Sequence, residues 1–497
     1  MSQSIKITKV NESLSRVEGP QEVLEKIVLF LRVERADAKF DRLVKLHIRD
    51  PYFYFTSKCP DGGIYVFNGH RALLNQFGID SVEEKTGILD SDIESFIASL
   101  NLPFTPYDYQ IKNIKMALQN KKMLFRSCTS SGKSLTISVV LEWFRQHNLK
   151  GVLVVPNINL LNQFKGDIES YGLKDLVKET QLLGNGNKSD FKSALTITTW
   201  QSLIKYVDDL DKLNFDFIIC DECHRFSSEC TSDILIKSTR TEIKLGFTGT
   251  IPEDQEAKMM LLGLFGLPQT IITASQLIER NLGTPVNINA VMLKYPMEAK
   301  RTFREIPKDD FLGQLKFIKE YRPRTAVITK IVNAERSKGK NVLVLYQHTE
   351  HGEDIFEALG LDKDKAYDFE YQKASGVLFM NGSITGKVRE LQRHFMEENT
   401  GIVMVANYSV MSTGANIKNL HSLILASPLK SFVTVSQSLG RLMRKHQSKT
   451  ESNIFDLVDD FGIRKPSGIF VNQYKHRVSS SYIPEEFSIK EVTVSLD

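Results

Sequence analysis

Lys122-Met-Leu-Phe-Arg126, followed by Ser127-Cys128-Thr129-Ser130-Ser131-Gly132-Lys133-Ser134, decides how this chain is read. The first run has a strand pattern, the next residues are small, and helical spacing begins after Gly132. A strand, a loop of small residues and Gly-Lys-Ser at a helix start together form a phosphate cradle. Loop N–H groups and the helix N-terminus face the anion. Lys133 is expected to reach the β- and γ-phosphates and Ser134 to hold Mg2+. Thr129, Ser130, Ser131 and Gly132 would supply the loop. Ser127 stands where the first glycine of GxxxxGK[ST] belongs, so the pattern is not fully met. The bland alternative is a surface turn before a helix.

A second stretch points the same way. Asn214-Phe-Asp-Phe-Ile-Ile-Cys220 reads as a buried strand running into Asp221-Glu222-Cys223-His224. Asp221 can bind the Mg2+ shell, and Glu222 beside it can polarise an attacking water. The alternative is a solvated acidic pair, which the alternating strands between the two stretches disfavour. Cys220 to His224 also fits the CxxCH haem pattern, and with Cys230 it offers zinc-type ligands. Cys220 closes a buried strand and the carboxylates have a better role, so neither zinc nor haem is expected. Gly386-Lys387 lacks a following Ser or Thr.

Outward from these stretches, short apolar runs alternate with amphipathic ones. Lys122–Arg126, 151–155, 194–198, 215–221 and 243–246 are strand candidates. A restart near 325 adds 341–345, 376–380, 401–406, 422–425 and 454–457. Runs rich in Val and Ile suit parallel strands buried on both faces, and the alternation is that of a doubly wound α/β sheet. Before them, residues 21–32 have helical spacing, and 43–48, 52–56 and 63–67 look like strands, the last two joined by a Pro60-Asp61-Gly62-Gly63 turn. Residues 70–95 look helical. The expected division is an α+β accessory module over 1–95, a first α/β domain over 96–292, and a connector (293–324) with a second α/β domain over 293–497.

The 497 residues suit about three domains at roughly 150 residues each. With 41% hydrophobic and 25% charged residues the chain is not largely disordered. A net charge of +4 excludes a general polycation, so any nucleic-acid site must be local. No apolar run approaches the roughly 18 residues of a membrane span, and the first residues lack the apolar core of a secretory signal. Five cysteines suit a reduced, cytoplasmic protein without a disulfide framework.

In the second α/β region, Gln437-Ser-Leu-Gly440-Arg441-Leu-Met-Arg444 puts two arginines on one helical face. Arginines supplied across a cleft can stabilise charge on a transferring γ-phosphoryl group; the alternative is a basic exposed helix. At this point the order of motifs resembles that of superfamily 2 helicases with two RecA-like domains. Asp221 to His224 is similar to the DExH motif II, Thr248-Gly249-Thr250 to motif III, and Gln437 to Arg444 to QxxGRxxR. Tyr109-Gln110 resembles the adenine-reading Q motif. Val155-Pro156 and Thr198-Thr199-Trp200-Gln201-Ser202 look like motifs Ia and Ib, and Ser412-Thr413-Gly414-Ala415-Asn416-Ile417 like motif V, with Asn416 where many relatives carry Asp.

The resemblance implies ATP and Mg2+ as cofactors and catalytic roles for Lys133, Asp221, Glu222, Gln437, Arg441 and Arg444. It adds Tyr109, Gln110 and Gly414 to the nucleotide site, and Pro156, Thr199, Trp200 and Thr413 as contacts to a nucleic-acid backbone. Lys418-Asn-Leu-His421, Gly440 to His446 and Phe455-Asp-Leu-Val-Asp-Asp460 look like the phage recombination helicases. That resemblance implies remodelling of branched DNA, with the accessory module either recognising the junction or capping the first domain. A DExH RNA helicase, or an ATPase switch without strand movement, remains as the rival reading.

Overall fold

The computed structural model describes all residues except 1–4, 36, 37, 39, 40, 80–83, 185, 188, 228, 413–416, 429–439 and 464, and the side chains of 159, 227, 229, 230, 411 and 412. The chain divides into two compact units: Met1–Ser127 with Ser131–Ile272, and Cys128–Ser130 with Thr273–Asp497.

The first unit opens with six short strands, β1 (Lys6–Lys9), β2 (Leu14–Glu18), β3 (Arg32–Glu34), β4 (Tyr52–Tyr54), β5 (Thr56–Lys58) and β6 (Ile64–Phe67). Four of them form an antiparallel sheet in the order β1-β2-β6-β5, while β3 and β4 pair separately. The period of two is visible in β6, where Ile64 and Val66 are buried and Tyr65 and Phe67 are not. Helix Gln21–Phe30 buries Leu24 and Ile27, two residues of the expected stripe. The expected strand over 43–48 is instead a helical turn, Arg42–Lys45. Asp41 caps it by accepting the Leu43 N–H at 2.8 Å, and its apolar residues Leu43, Leu46 and Ile48 are exposed instead of sitting in a sheet. Residues 70–95 split into a 3-10 run, Asn68–Phe77, and the start of helix Asp90–Ser99.

Seven parallel strands follow: β7 (Lys122–Ser127), β8 (Gly151–Val155), β9 (Thr180–Leu183), β10 (Leu195–Thr199), β11 (Phe217–Asp221), β12 (Ile243–Thr248) and β13 (Pro268–Ile272). Their order is β13-β7-β12-β11-β8-β10-β9. Alternate residues feed cores on the two faces. Leu124, Val152 and Ile218 enter one; Phe125, Leu153 and Ile219 enter the other. The first of these cores is continuous with the N-terminal module. Val17, Ile27, Val66 and Leu74 lie in the same cluster as Leu124, Leu261 and Phe265. At this junction a Cβ on Gly69 would run into the carbonyl oxygens of Leu262 and Gly263, so only glycine permits the approach.

The second unit carries β14 (Val286–Lys294), β15 (Val342–Tyr346), β16 (Val377–Met380), β17 (Val403–Asn407), β18 (Ser422–Leu425), β19 (Ser452–Asp460) and β20 (Ile489–Ser495), parallel in the order β16-β17-β15-β18-β19-β14-β20. The expected break at 292 therefore falls inside a strand of the second sheet. β14 pairs with β19 from Val286 opposite Ser452 to Lys294 opposite Asp460. Nor is 293–324 a bare connector. Helices Met297–Glu305 and Phe311–Glu320 send Phe303, Leu315 and Ile318 into or against the second core. The acidic residues at the end of β19 are buried and paired. Arg324 meets Asp459 through two N–H···O bonds of 2.7 and 3.1 Å, and Arg477 meets Asp456 at 2.9 and 2.7 Å. The hydroxyls of Tyr295 and Tyr482 donate to the same two carboxylates.

Candidate active site

The chemistry-bearing residues of the first unit converge where β7 and β11 end, the edge at which open α/β sheets bind ligands. After β7 the chain turns at Gly132, with φ 81°, and helix Lys133–Gln146 begins. The left-handed φ favours glycine, and a Cβ there would also strike Nε2 of Gln110. Gln110 holds the loop. Its Nε2 donates to the Ser131 carbonyl at 3.0 Å, the Tyr109 hydroxyl donates to the same oxygen at 2.9 Å, and Gln110 Oε1 accepts the Tyr107 N–H at 2.9 Å. Tyr109 and Gln110 thus lie beside the loop, and the contacts they make there brace its backbone.

Lys133 Nζ lies 3.3 Å from the Ser127 carbonyl and 3.8 Å from Glu222 Oε1. Ser134 Oγ is 2.8 Å from the hydroxyl of Tyr171. Among the described residues, the hydroxyls of Ser127 and Ser131 are buried with no hydrogen-bond partner. A turn that only glycine fits, a helix N-terminus, two orphaned buried hydroxyls, a lysine and a facing acidic pair are a donor set that fits a nucleotide phosphate with Mg2+. Thr129 and Ser130 group with the second unit.

Asp221 ends β11, and its Oδ1 accepts the Glu222 N–H at 3.0 Å. Glu222 itself sits at φ 49°, a left-handed conformation costing a non-glycine residue about 1–3 kcal/mol. Burial and the neighbouring Glu222 charge push the Asp221 carboxyl up, against the pull of Lys133. Burial also pushes Glu222 up, but Lys133 and His224 outweigh it and hold this carboxyl low, hence ionised. His224 Nδ1 is 3.3 Å from Glu222 Oε2 and 3.0 Å from Thr248 Oγ1. Thr248 in turn donates to the Thr250 carbonyl at 2.8 Å and accepts the Thr250 N–H at 3.1 Å. Because the Thr248 proton goes to Thr250, the shared proton between His224 and Thr248 belongs to His224. The network ties the acidic pair to the segment after β12. Cys220 and Cys223 are fully buried, and burial pushes both thiols well up. Cys223 packs so closely on Gly246 that a Cβ there would stand 2.9 Å from its sulfur.

Pro156 and Thr199, at the ends of β8 and β10, are buried; the Thr199 hydroxyl donates to Ser202 Oγ at 3.2 Å, and Trp200 is half-buried against the core. In the second unit Arg441 is buried and Arg444 half-buried. Burial lowers both, taking Arg441 to about 10 with Arg444 nearby as a further cause. Gln437, Thr413 and Gly414 lie outside the described residues.

Four residues near these positions gave no signal in the sequence. Thr284 binds the Met443 carbonyl through its N–H at 2.8 Å and the Arg444 carbonyl through its hydroxyl at 3.1 Å. Lys449 Nζ donates to the carbonyls of Leu442 at 2.7 Å and Arg444 at 2.9 Å. Asp167 and Tyr171 stand beside Ser134.

The two parallel sheets in tandem are RecA-like, and the family match and helicase relatives below support an ATP-hydrolysing helicase. Comparison with known proteins agrees. The ATP-dependent DNA helicase uvsW of Enterobacteria phage T4 is 28% identical over 447 residues, covering 86% of this chain and 85% of that protein. The family described as Type III restriction enzyme, res subunit, matches residues 103–253. In fold, the chain is similar to the ATP-dependent Type ISP restriction-modification enzyme LlaBIII bound to DNA (16% identity, TM-score 0.54, 79% of this chain and 32% of that one). It is also similar to Mss116p bound to ssRNA and AMP-PNP (15% identity, TM-score 0.53, 83% and 80%).

Proposed function

We propose that this protein is an ATP-dependent DNA helicase that remodels branched DNA, regressing forks, migrating Holliday junctions and dissociating D-loops in recombination, repair and replication restart. The observation that carries the DNA reading is the similarity to a phage DNA helicase over 86% of the chain. In this reading Lys133 neutralises the β- and γ-phosphates, and Ser134 and Asp221 hold Mg2+. The metal supplies charge neutralisation at the phosphates when bound. Thr129, Ser130, Ser131 and Gly132 line the phosphate loop, and Tyr109 and Gln110 fix it beside the base. Glu222, kept ionised by Lys133 and His224, accepts the proton of the attacking water.

Arg441 and Arg444, with Gln437 and Gly414, act on the γ-phosphate, so that its loss opens the two domains once per turnover. The loops after β8 and β10, with Pro156, Thr199 and Trp200, and the loop at Thr413 grip the nucleic-acid backbone without reading sequence. The module over 1–95 helps place the motor on a junction. Its β3–β4 ribbon offers Arg32, stacked 4.1 Å over the Tyr52 ring, and an exposed Tyr54.

The test is one ATP-dependent unwinding panel of fork, Holliday junction, D-loop, linear duplex and RNA duplex. Preference for the three branched DNAs is expected. Preference for the RNA duplex would replace this reading with that of an RNA helicase, and nucleic-acid-stimulated hydrolysis without strand separation would leave an ATPase switch.

A further inference from the structure

Arg441 and Arg444 stand where a helix ends. Residues 440–442 are helical, and the chain leaves the helix at Met443 and Arg444. The last carbonyls of a helix have no partner within it and need donors from elsewhere. The Arg441 carbonyl accepts the Arg444 N–H at 3.3 Å. Groups from outside the turn meet each of the next three carbonyls. Leu442 accepts from Lys449 Nζ at 2.7 Å and from the Ser452 hydroxyl at 3.2 Å. Met443 accepts the Thr284 N–H at 2.8 Å. Arg444 accepts from the Thr284 hydroxyl at 3.1 Å and from Lys449 Nζ at 2.9 Å.

Thr284 and Ser452 are held by the sheet. Ser452 opens β19 opposite Val286 of β14, and its N–H donates to the Pro285 carbonyl at 2.8 Å. Lys449 lies instead in the loop before β19 and reaches back to the turn. An ammonium has three protons to donate. The third goes to the Lys418 carbonyl at 3.4 Å, on the residue that follows the 412–417 stretch. Burial and the nearby Arg444 lower the Lys449 pKa to about 8, so the side chain is charged at pH 7. A cation at a helix C-terminus is favourable in itself. Here one cation also bridges two carbonyls of the turn.

We infer that Lys449 is a positioning residue for Arg441 and Arg444: its ammonium clamps the backbone that carries both arginines and ties it to the residue after 412–417. The inference rests on the two arginines acting on the γ-phosphate, as proposed above. A group displaced by about 1 Å from its working place can cost about 100-fold in rate.

The experiment compares full-length wild type and Lys449→Met in ATPase activity with single-stranded DNA, in affinity for ADP, and in affinity for ADP with aluminium fluoride. The fluoride complex stands in for the transferring γ-phosphoryl group. Lys449→Met is expected to lower kcat by about 10–100-fold and to weaken ADP–aluminium fluoride binding by a similar factor. KM for ATP and affinity for ADP should be unchanged. A purely structural role would weaken both complexes alike. That result, or a wild-type kcat, would overturn the inference. Lys449→Gln, neutral and of shorter reach, carries the test by the same readings if the methionine variant does not fold. Thr284→Val, which keeps the backbone bond to Met443, should show a smaller loss of the same kind. Arg441→Ala and Arg444→Ala separate the two levels. If either weakens the fluoride complex selectively and Lys449→Met does not, only the role of Lys449 falls. If neither does, the arginines do not act on the γ-phosphate and both readings fall.

Discussion

Glu222 shows how much of a site one residue can hold. It occupies a left-handed backbone conformation that most side chains avoid, its carboxylate faces Lys133 and His224, and its neighbour Asp221 is pushed towards the protonated form by the same crowding. Glu222→Gln keeps the shape and the hydrogen bonding to His224 but removes the base. ATP binding should survive, while single-turnover hydrolysis slows by roughly 10²–10⁴-fold. Loss of nucleotide binding in a filter assay would show that the two acids do not divide the work as proposed. Lys133→Ala should abolish hydrolysis with an unchanged melting temperature, since this half-buried side chain makes only a 3.3 Å contact and a 3.8 Å ion pair. Near-wild-type ATPase would remove Lys133 from the phosphate site. At this scale the sequence was readable wherever chemistry dictates residue type at fixed spacing, as for Gly132-Lys133-Ser134 and Asp221-Glu222. Asp167, Tyr171, Thr284 and Lys449 were not readable. They reach their partners through the fold, and an isolated Asp, Tyr, Thr or Lys carries no spacing to recognise.

Among the elements, the central strands of both sheets were readable because they are buried on both faces and run continuously apolar, as in Val152-Leu-Val-Val155 and Val342-Leu-Val-Leu345. β9, β13 and β20 were missed. They lie at sheet edges, and a strand such as Ile489-Lys-Glu-Val-Thr-Val-Ser495 is mostly exposed and mixes polar with apolar residues. β14 was missed as well, because its first half, Val286-Asn-Ile-Asn289, interleaves asparagines with apolar residues. Its partner β19 lies far along the chain. The aspartates of β19 are explained by the helices packed on the sheet. Asp456 and Asp459 are fully buried, and each meets an arginine and a tyrosine. Removing one partner of such a pair strands a buried charge, so Asp459→Ala should lower the unfolding free energy by about 3–5 kcal/mol, read from the urea midpoint. The double replacement Arg324→Met with Asp459→Leu should recover much of that loss. A single variant with an unshifted midpoint would mean that the pair does not hold helix Arg322–Arg336 to the sheet.

Over the first unit as a whole, the N-terminal module and the motor sheet are one folded body. They share a core, Gly69 lies against the backbone of Leu262 and Gly263, and the buried Lys244 of β12 donates to Ser13 Oγ at 2.9 Å and to the Leu235 carbonyl at 2.8 Å. Each fully buried Val or Leu at this junction contributes about 1.5–3 kcal/mol. Deleting residues 1–95 should therefore cost the motor its stability, with ATPase and branch migration falling together. A truncated protein that melts like the full chain and keeps DNA-stimulated ATPase would show the junction to be dispensable.

The same junction carries a pH signature. His70 is fully buried and its Nε2 donates to the Met259 carbonyl at 2.8 Å, while burial lowers its pKa to about 4. The folded value lies below the unfolded value of about 6.5, so the unfolded chain takes up a proton first as the pH falls. His70's contribution is intact above pH ~6.5 and is lost progressively towards pH ~4, at up to about 1.4 kcal/mol for each pH unit. The urea midpoint of the wild type should thus fall more steeply between pH 7 and pH 5 than that of His70→Gln, which keeps a donor but does not titrate. Parallel curves would mean that His70 binds its proton equally in the folded and unfolded states, and that the acid response of this unit arises elsewhere.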